Sequence, residues 1–219
     1  MDEYTSPEFP RSALLTIDLQ RDWVAAVPGT PAVLPAVRRL TQAYRDAGRP
    51  VVHVVRLYLP DGSNADLSRR SLRGKANPHT PGSQLADGLG GELDPDLLLS
   101  GQLQQTGPAE HVLYKPRWSA FFRTSLLDHL AGQDVSTVVV AGCNYPNCPR
   151  ATLVDATERD LRTAAVRDAI SGWTEDADRE LPGLGIACLD AADVIDAVRP
   201  ARPSAPLPAR SAPDGRSTS

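Results

Sequence analysis

Cysteine and lysine are scarce in this chain. Three cysteines, Cys143, Cys148 and Cys188, are an odd number at irregular spacing, which excludes a disulfide framework. They also lack the paired Cys-x-x-Cys and histidine spacing of a structural zinc site. No stretch of about 18 apolar residues exists, so no membrane-spanning helix is expected. Residues 1–11 hold no apolar signal-peptide segment, which points to a cytoplasmic protein. A net charge of −4 gives no general attraction to nucleic acid or to an anionic membrane. Neither a Gly-x-Gly-x-x-Gly fingerprint nor a P-loop lysine is present, so those modes of nucleotide binding have no support. There is no internal repeat. The two lysines, Lys75 and Lys115, stand against 21 arginines. A lysine kept in such a background points weakly to chemistry that a guanidinium does not supply.

What is present reads as one α/β domain of ordinary apolar content. Residues 1–11 read as a flexible lead-in and 12–199 as the domain. Residues 200–219, dominated by Pro, Ala, Ser and Arg, read as a disordered tail. Short apolar runs at 12–17, 50–55, 111–114, 135–141, 161–166 and 185–189 read as strands. Helical patterns lie between them. That at 31–47 has Val33, Leu34, Val37, Leu40 and Tyr44 on one face, with Gly48 as its stop. That at 120–131 is capped by Ser119 and turns Phe121, Leu126, Leu127 and Leu130 inward. Others begin at Pro149 and cover 175–180 and 191–198. Alternating strands and helices predict a three-layer α/β/α sandwich with a mostly parallel sheet of about six strands. Cys188, within the last strand, reads as a small buried apolar residue. Residues 56–91 read as irregular loop.

Three reactive side chains each follow a different strand: Asp18, Lys115 and Cys148. Parallel strands align their carboxyl ends along one edge, where α/β sheets bind ligands, so these groups can converge. Cys148 also opens a helix, whose positive end favours thiolate over thiol. A cysteine nucleophile needs its proton removed; Asp18 can take it while Lys115 holds that aspartate. Backbone N–H groups in the turn from Asn144 to Cys148 can receive the oxyanion that forms when sulfur attacks a carbonyl. His53 and His79 are candidate metal ligands, but no Asp-x-His pattern accompanies either, so no metal and no cofactor are expected.

Taken jointly, three motifs resemble the isochorismatase-like cysteine hydrolase superfamily, which includes nicotinamidases and N-carbamoylsarcosine amidases. They are Leu15-Thr16-Ile17-Asp18-Leu19-Gln20-Arg21-Asp22-Trp23, Lys115-Pro116-Arg117-Trp118-Ser119-Ala120-Phe121, and the run from Gly142 to Cys148 with Ala151-Thr152. Asp155-Ala156 and Val166-Arg167-Asp168-Ala169 also fit, and the likeness spans about residues 12–198. It implies a triad with Cys148 as nucleophile, Asp18 as base and later acid, and Lys115 as charge partner. It implies an oxyanion hole from the Asn144 and Cys148 N–H groups, beside a non-proline cis peptide at Cys143–Asn144. It also implies a homo-oligomer, a dimer or tetramer.

Departures narrow the reading. The metal-binding Asp-x-His set of nicotinamidases is absent around Asp61, which argues against nicotinamide. Cysteine at the nucleophile position favours amide cleavage over vinyl-ether hydrolysis of the isochorismatase type. The expected substrate-binding residues are Trp23, Arg56, Tyr58, Trp118, Phe121 and Tyr145, with Arg117 as a further cation. An aromatic wall suits a small flat amide, cyclic amide, lactam or imide, and arginines suit an anionic portion. The competing readings are ether hydrolysis with Asp18 as sole acid, and a non-catalytic binding or redox-sensing protein using a Cys143–Cys148 disulfide.

Overall fold

The computed structural model describes residues 2–70 and 74–199. The tail read at 200–219 lies outside them. Seven strands form one sheet among the described residues, in the order β3-β4-β2-β1-β5-β6-β7. They are β1 (Ser12–Ile17), β2 (Val51–Val55), β3 (Gln104–Gly107), β4 (Glu110–Tyr114), β5 (Thr137–Gly142), β6 (Arg162–Ile170) and β7 (Ile186–Leu189). Every pairing is parallel except β3 with β4. The strand beyond the expected six is β3, a polar edge strand whose Gln104-Gln105-Thr106-Gly107 carries no apolar alternation.

The two central strands, β1 and β5, are buried at every residue, as expected for parallel strands covered on both faces. One face packs against α1 (Arg21–Ala26), α2 (Thr30–Asp46), α3 (Pro95–Leu99) and α7 (Ala191–Val198), through Trp23, Leu34, Val37, Leu40, Leu98 and Val194. The other packs against α4 (Leu126–Ala131), α5 (Cys148–Thr157) and α6 (Glu175–Glu180), through Leu126, Leu130, Leu153 and Ala177. This is the expected sandwich. The lead-in is tied down at its inner end: the Glu8 N–H donates to Thr137 Oγ1, and its carboxylate meets Ser136 and Arg162.

Two local expectations change. The helix read at 120–131 is confined to Leu126–Ala131. Residues 119–125 are turns, because Ser119 Oγ accepts from the Phe121 N–H and Arg123 sits at φ +52°. Leu127 consequently turns outward, at 39% exposed. Cys188 is only half-buried on β7, an edge strand.

A buried polar relay crosses the first sheet face. Thr16 Oγ1 meets His53 Nδ1 at 2.6 Å, His53 Nε2 meets Glu110 Oε1 at 2.7 Å, and Arg45 grips Glu110 with two N–H bonds. Burial pushes the Glu110 carboxyl up, but the bonds from His53 and Arg45 outweigh it and hold it at about 2. The folded value lies below the unfolded one of 4.5, so this contribution to stability is complete above that value and is lost as pH falls toward about 2. Urea midpoints measured against pH are expected to fall across that window. Glu110→Gln is expected to flatten the slope; an unchanged slope would show that the relay is not what acid breaks.

Candidate active site

The site lies where β1 and β5 end side by side. Ile17 pairs with Gly142, and the Cys143 N–H donates to Ile17 O at 2.8 Å. Gly142, at φ +127°, permits this approach: a Cβ there would stand 2.2 Å from Ile17 O. Asp18 follows β1 with its N–H bonded to Val54 O and with φ +53°, a conformation few non-glycine residues adopt. Lys115 follows β4 and donates its backbone N–H to Val55 O. Cys148 is the first residue of α5, after a turn in which the Cys143–Asn144 and Tyr145–Pro146 peptides are both cis.

These elements bring the three predicted groups together. Lys115 Nζ donates to Asp18 Oδ2 at 2.9 Å, with the lysine side chain wholly buried and the carboxylate 8% exposed. Asp18 Oδ1 is buried and has no hydrogen-bond donor among the described residues. Asp18 and Cys148 line the same cavity. Burial pushes the Cys148 thiol above its ordinary range and the Asp18 charge pushes it further, while Lys115 and Arg56 pull the other way. The helix terminus expected to favour thiolate is therefore outweighed by desolvation, and the resting side chain is a thiol. The Asn144 and Cys148 N–H groups have no acceptor among the described residues.

The cavity holds about 180 Å³ and is walled by Trp23, Ala26, Val27, Arg56, Tyr58 and Arg69 together with Cys143, Asn144, Asp18 and Cys148. Trp23 packs edge-on against Tyr58 with ring centroids 6.0 Å apart, and the Arg56 guanidinium lies 5.4 Å from the Tyr58 ring centre. Arg56 is 3% exposed and anchored by bonds to Pro116 O and Asp66 Oδ2.

Of the expected substrate-binding residues, Trp23, Arg56 and Tyr58 line the cavity; Trp118, Phe121 and Tyr145 do not. Phe121 is core, 4% exposed, with the Arg159 guanidinium over its ring. Tyr145 packs on Trp173 and reaches Glu180, because the turn that aims Cys148 inward sends its neighbour to the other side. Trp118 and Arg117 wall a separate, wider groove, where Trp118 carries Arg69 at 5.1 Å. Arg69, Val27 and Cys143 were not anticipated as lining. Arg69 sits in a short 3-10 turn, Leu67–Arg69, inside the stretch read as loop, and carries no sequence signal of its own. All three cysteines are free. Both ring nitrogens of His53 are taken by the relay, and His79 faces Asp96 at the surface. No three His, Cys, Asp or Glu side chains gather as a metal site among the described residues.

Residues 12–181 match the Isochorismatase domain. An Arabidopsis thaliana protein named a probable inactive nicotinamidase is 31% identical over 169 residues, which cover 74% of this chain and 82% of its own. A maleamate amidohydrolase from Pseudomonas putida is 32% identical over 175 residues, 73% of this chain and 72% of its own. The crystal structure of an isochorismatase family protein from Desulfovibrio vulgaris matches with a TM-score of 0.73 at 33% identity, covering 85% of this chain and 97% of that one. With the domain match running through most of the sheet and through all three strand-end groups, the chain belongs to the isochorismatase family of hydrolases.

Proposed function

We propose that this chain is a metal-independent cysteine amidohydrolase, cleaving a C–N bond of a small amide, cyclic amide, lactam or imide through a thioester on Cys148. The observation that carries the reading is the buried Lys115–Asp18 pair, whose second carboxylate oxygen is unpartnered at the cavity that holds the Cys148 thiol. Lys115 keeps Asp18 ionised and fixed, and Oδ1 is the free acceptor for the thiol proton. As the proton passes to Asp18, sulfur attacks the amide carbonyl. The oxyanion meets the N–H groups of Asn144 and Cys148, each worth about 3 kcal/mol of barrier in such sites. Collapse breaks the C–N bond, and Asp18 returns the proton to the leaving nitrogen. Water then attacks the thioester, giving its proton to Asp18; collapse expels the sulfur, which recovers that proton, and the acid leaves.

A thiol whose pKa is raised is suited to this order of events. Its proton moves only as the carbonyl is attacked, so no buried thiolate stands uncompensated at rest. The kinship with a maleamate amidohydrolase supports amide cleavage. The kinship with a protein named probable inactive supports a non-catalytic reading. Single-turnover mass spectrometry with a panel of amides, lactams and imides separates the two. An acyl adduct on the peptide containing Cys148 is expected; absence of both adduct and turnover across the panel favours the non-catalytic reading.

A further inference from the structure

We propose that the cavity wall facing Cys148 is a carboxylate site, so that the substrate is a short acid amide bearing a free carboxylate at the end away from the scissile bond. This rests on the amidohydrolase reading and narrows it. Two buried N–H donors have no acceptor among the described residues, Trp23 Nε1 and Arg56 Nε, and both side chains line the cavity. Both are held firmly. Pro116 O and Asp66 occupy the terminal nitrogens of Arg56, and Tyr58 packs edge-on against the indole of Trp23. Burying donors without acceptors is costly unless a ligand supplies them.

Charge selects what that ligand is. The one carboxylate among the lining residues is Asp18, already matched by Lys115. Arg69 lines the same cavity and makes no ion pair among the described residues. A carboxylate brings two acceptor oxygens for two unpaired donors and a negative charge for Arg69, whereas an ester or a second amide brings no charge. Ala26 and Val27 offer apolar contact to the spacer. The volume of about 180 Å³ equals roughly six water molecules at ~30 Å³ each, which limits that spacer to a few carbons.

The test compares kcat/KM for malonamate, succinamate and maleamate with that for their methyl esters at fixed ionic strength. The free acids are expected to be favoured at least about 100-fold, since a site built to pair polar groups rejects analogues that leave them unpaired. Trp23→Phe keeps the ring and removes one donor, and Arg69→Gln removes charge from a half-exposed position. Each is expected to narrow the acid-to-ester ratio about tenfold or more, mainly through KM. A ratio near one, or a ratio unmoved by both variants, overturns the carboxylate site and leaves the amidohydrolase reading standing. If no amide turns over, that reading fails and calorimetric titration with succinate decides the site. Binding weakened by Trp23→Phe supports it, and no binding overturns it.

Discussion

Replacing Cys148 with alanine is expected to lower kcat on the true amide substrate by at least about 10⁴-fold, with the fold intact. Removal of the nucleophile from a catalytic unit typically costs far more than loss of one binding contact, and what survives comes from the oxyanion donors and the cavity alone. The cavity, the Lys115–Asp18 pair and the N–H groups are untouched by the change, so substrate still binds. Cys148→Ser is expected to fare little better, because a hydroxyl is harder to deprotonate than a thiol and Asp18 is a weak base for either. Steady-state kinetics beside circular dichroism and thermal melts check both. Full activity in Cys148→Ala would sink the thioester route and favour Asp18 acting alone as acid on an ether.

The second large effect falls on stability. Lys115→Met leaves the Asp18 carboxylate buried with no partner for Oδ2 and none for Oδ1. Breaking a buried ion pair by removing one partner typically costs about 3–5 kcal/mol, a large share of the ~5–15 kcal/mol that holds a domain together. Asp18→Asn strands the lysine instead and is expected to cost a comparable amount. The double variant, Asp18→Asn with Lys115→Met, leaves no uncompensated charge and is expected to be more stable than either single one. Urea melts of the three proteins measure that coupling. Additive losses would mean that the two groups do not depend on one another, and the place of Lys115 in the site would need another cause.

The triad candidates were legible because each stands directly after an apolar strand, where a parallel sheet leaves little choice about which edge it reaches. Asp18, Lys115 and Cys148 needed no knowledge of the turns between them. The walls were another matter. Trp118, Phe121 and Tyr145 were assigned to the cavity by nearness in sequence to Lys115 and Cys148. A residue one to six positions from a strand-end group can face either side of the sheet edge, and here the turns at 119–125 and 143–147 send those rings elsewhere. Arg69 is the converse case, far in sequence from every triad member and brought back by an irregular segment with no periodicity to read. β3 was missed for a similar reason, since an edge strand needs no apolar face. Burial likewise reversed the expected effect of the helix terminus on Cys148: the terminus is visible in sequence, the desolvation is not.

The order of the strands assigns chemistry and recognition to different parts of the chain. Asp18, Cys148 and Lys115 hang from β1, β5 and β4, inside the sheet, where any change of register would also break the core. Arg56, Tyr58 and Arg69 hang from the excursion between β2 and β3, which carries none of the three. Mutation can therefore rework that excursion while the strand-end groups stay fixed by packing. In a gene duplicate, one copy can drift to a new substrate by altering this segment alone, with the hydrolytic step inherited unchanged.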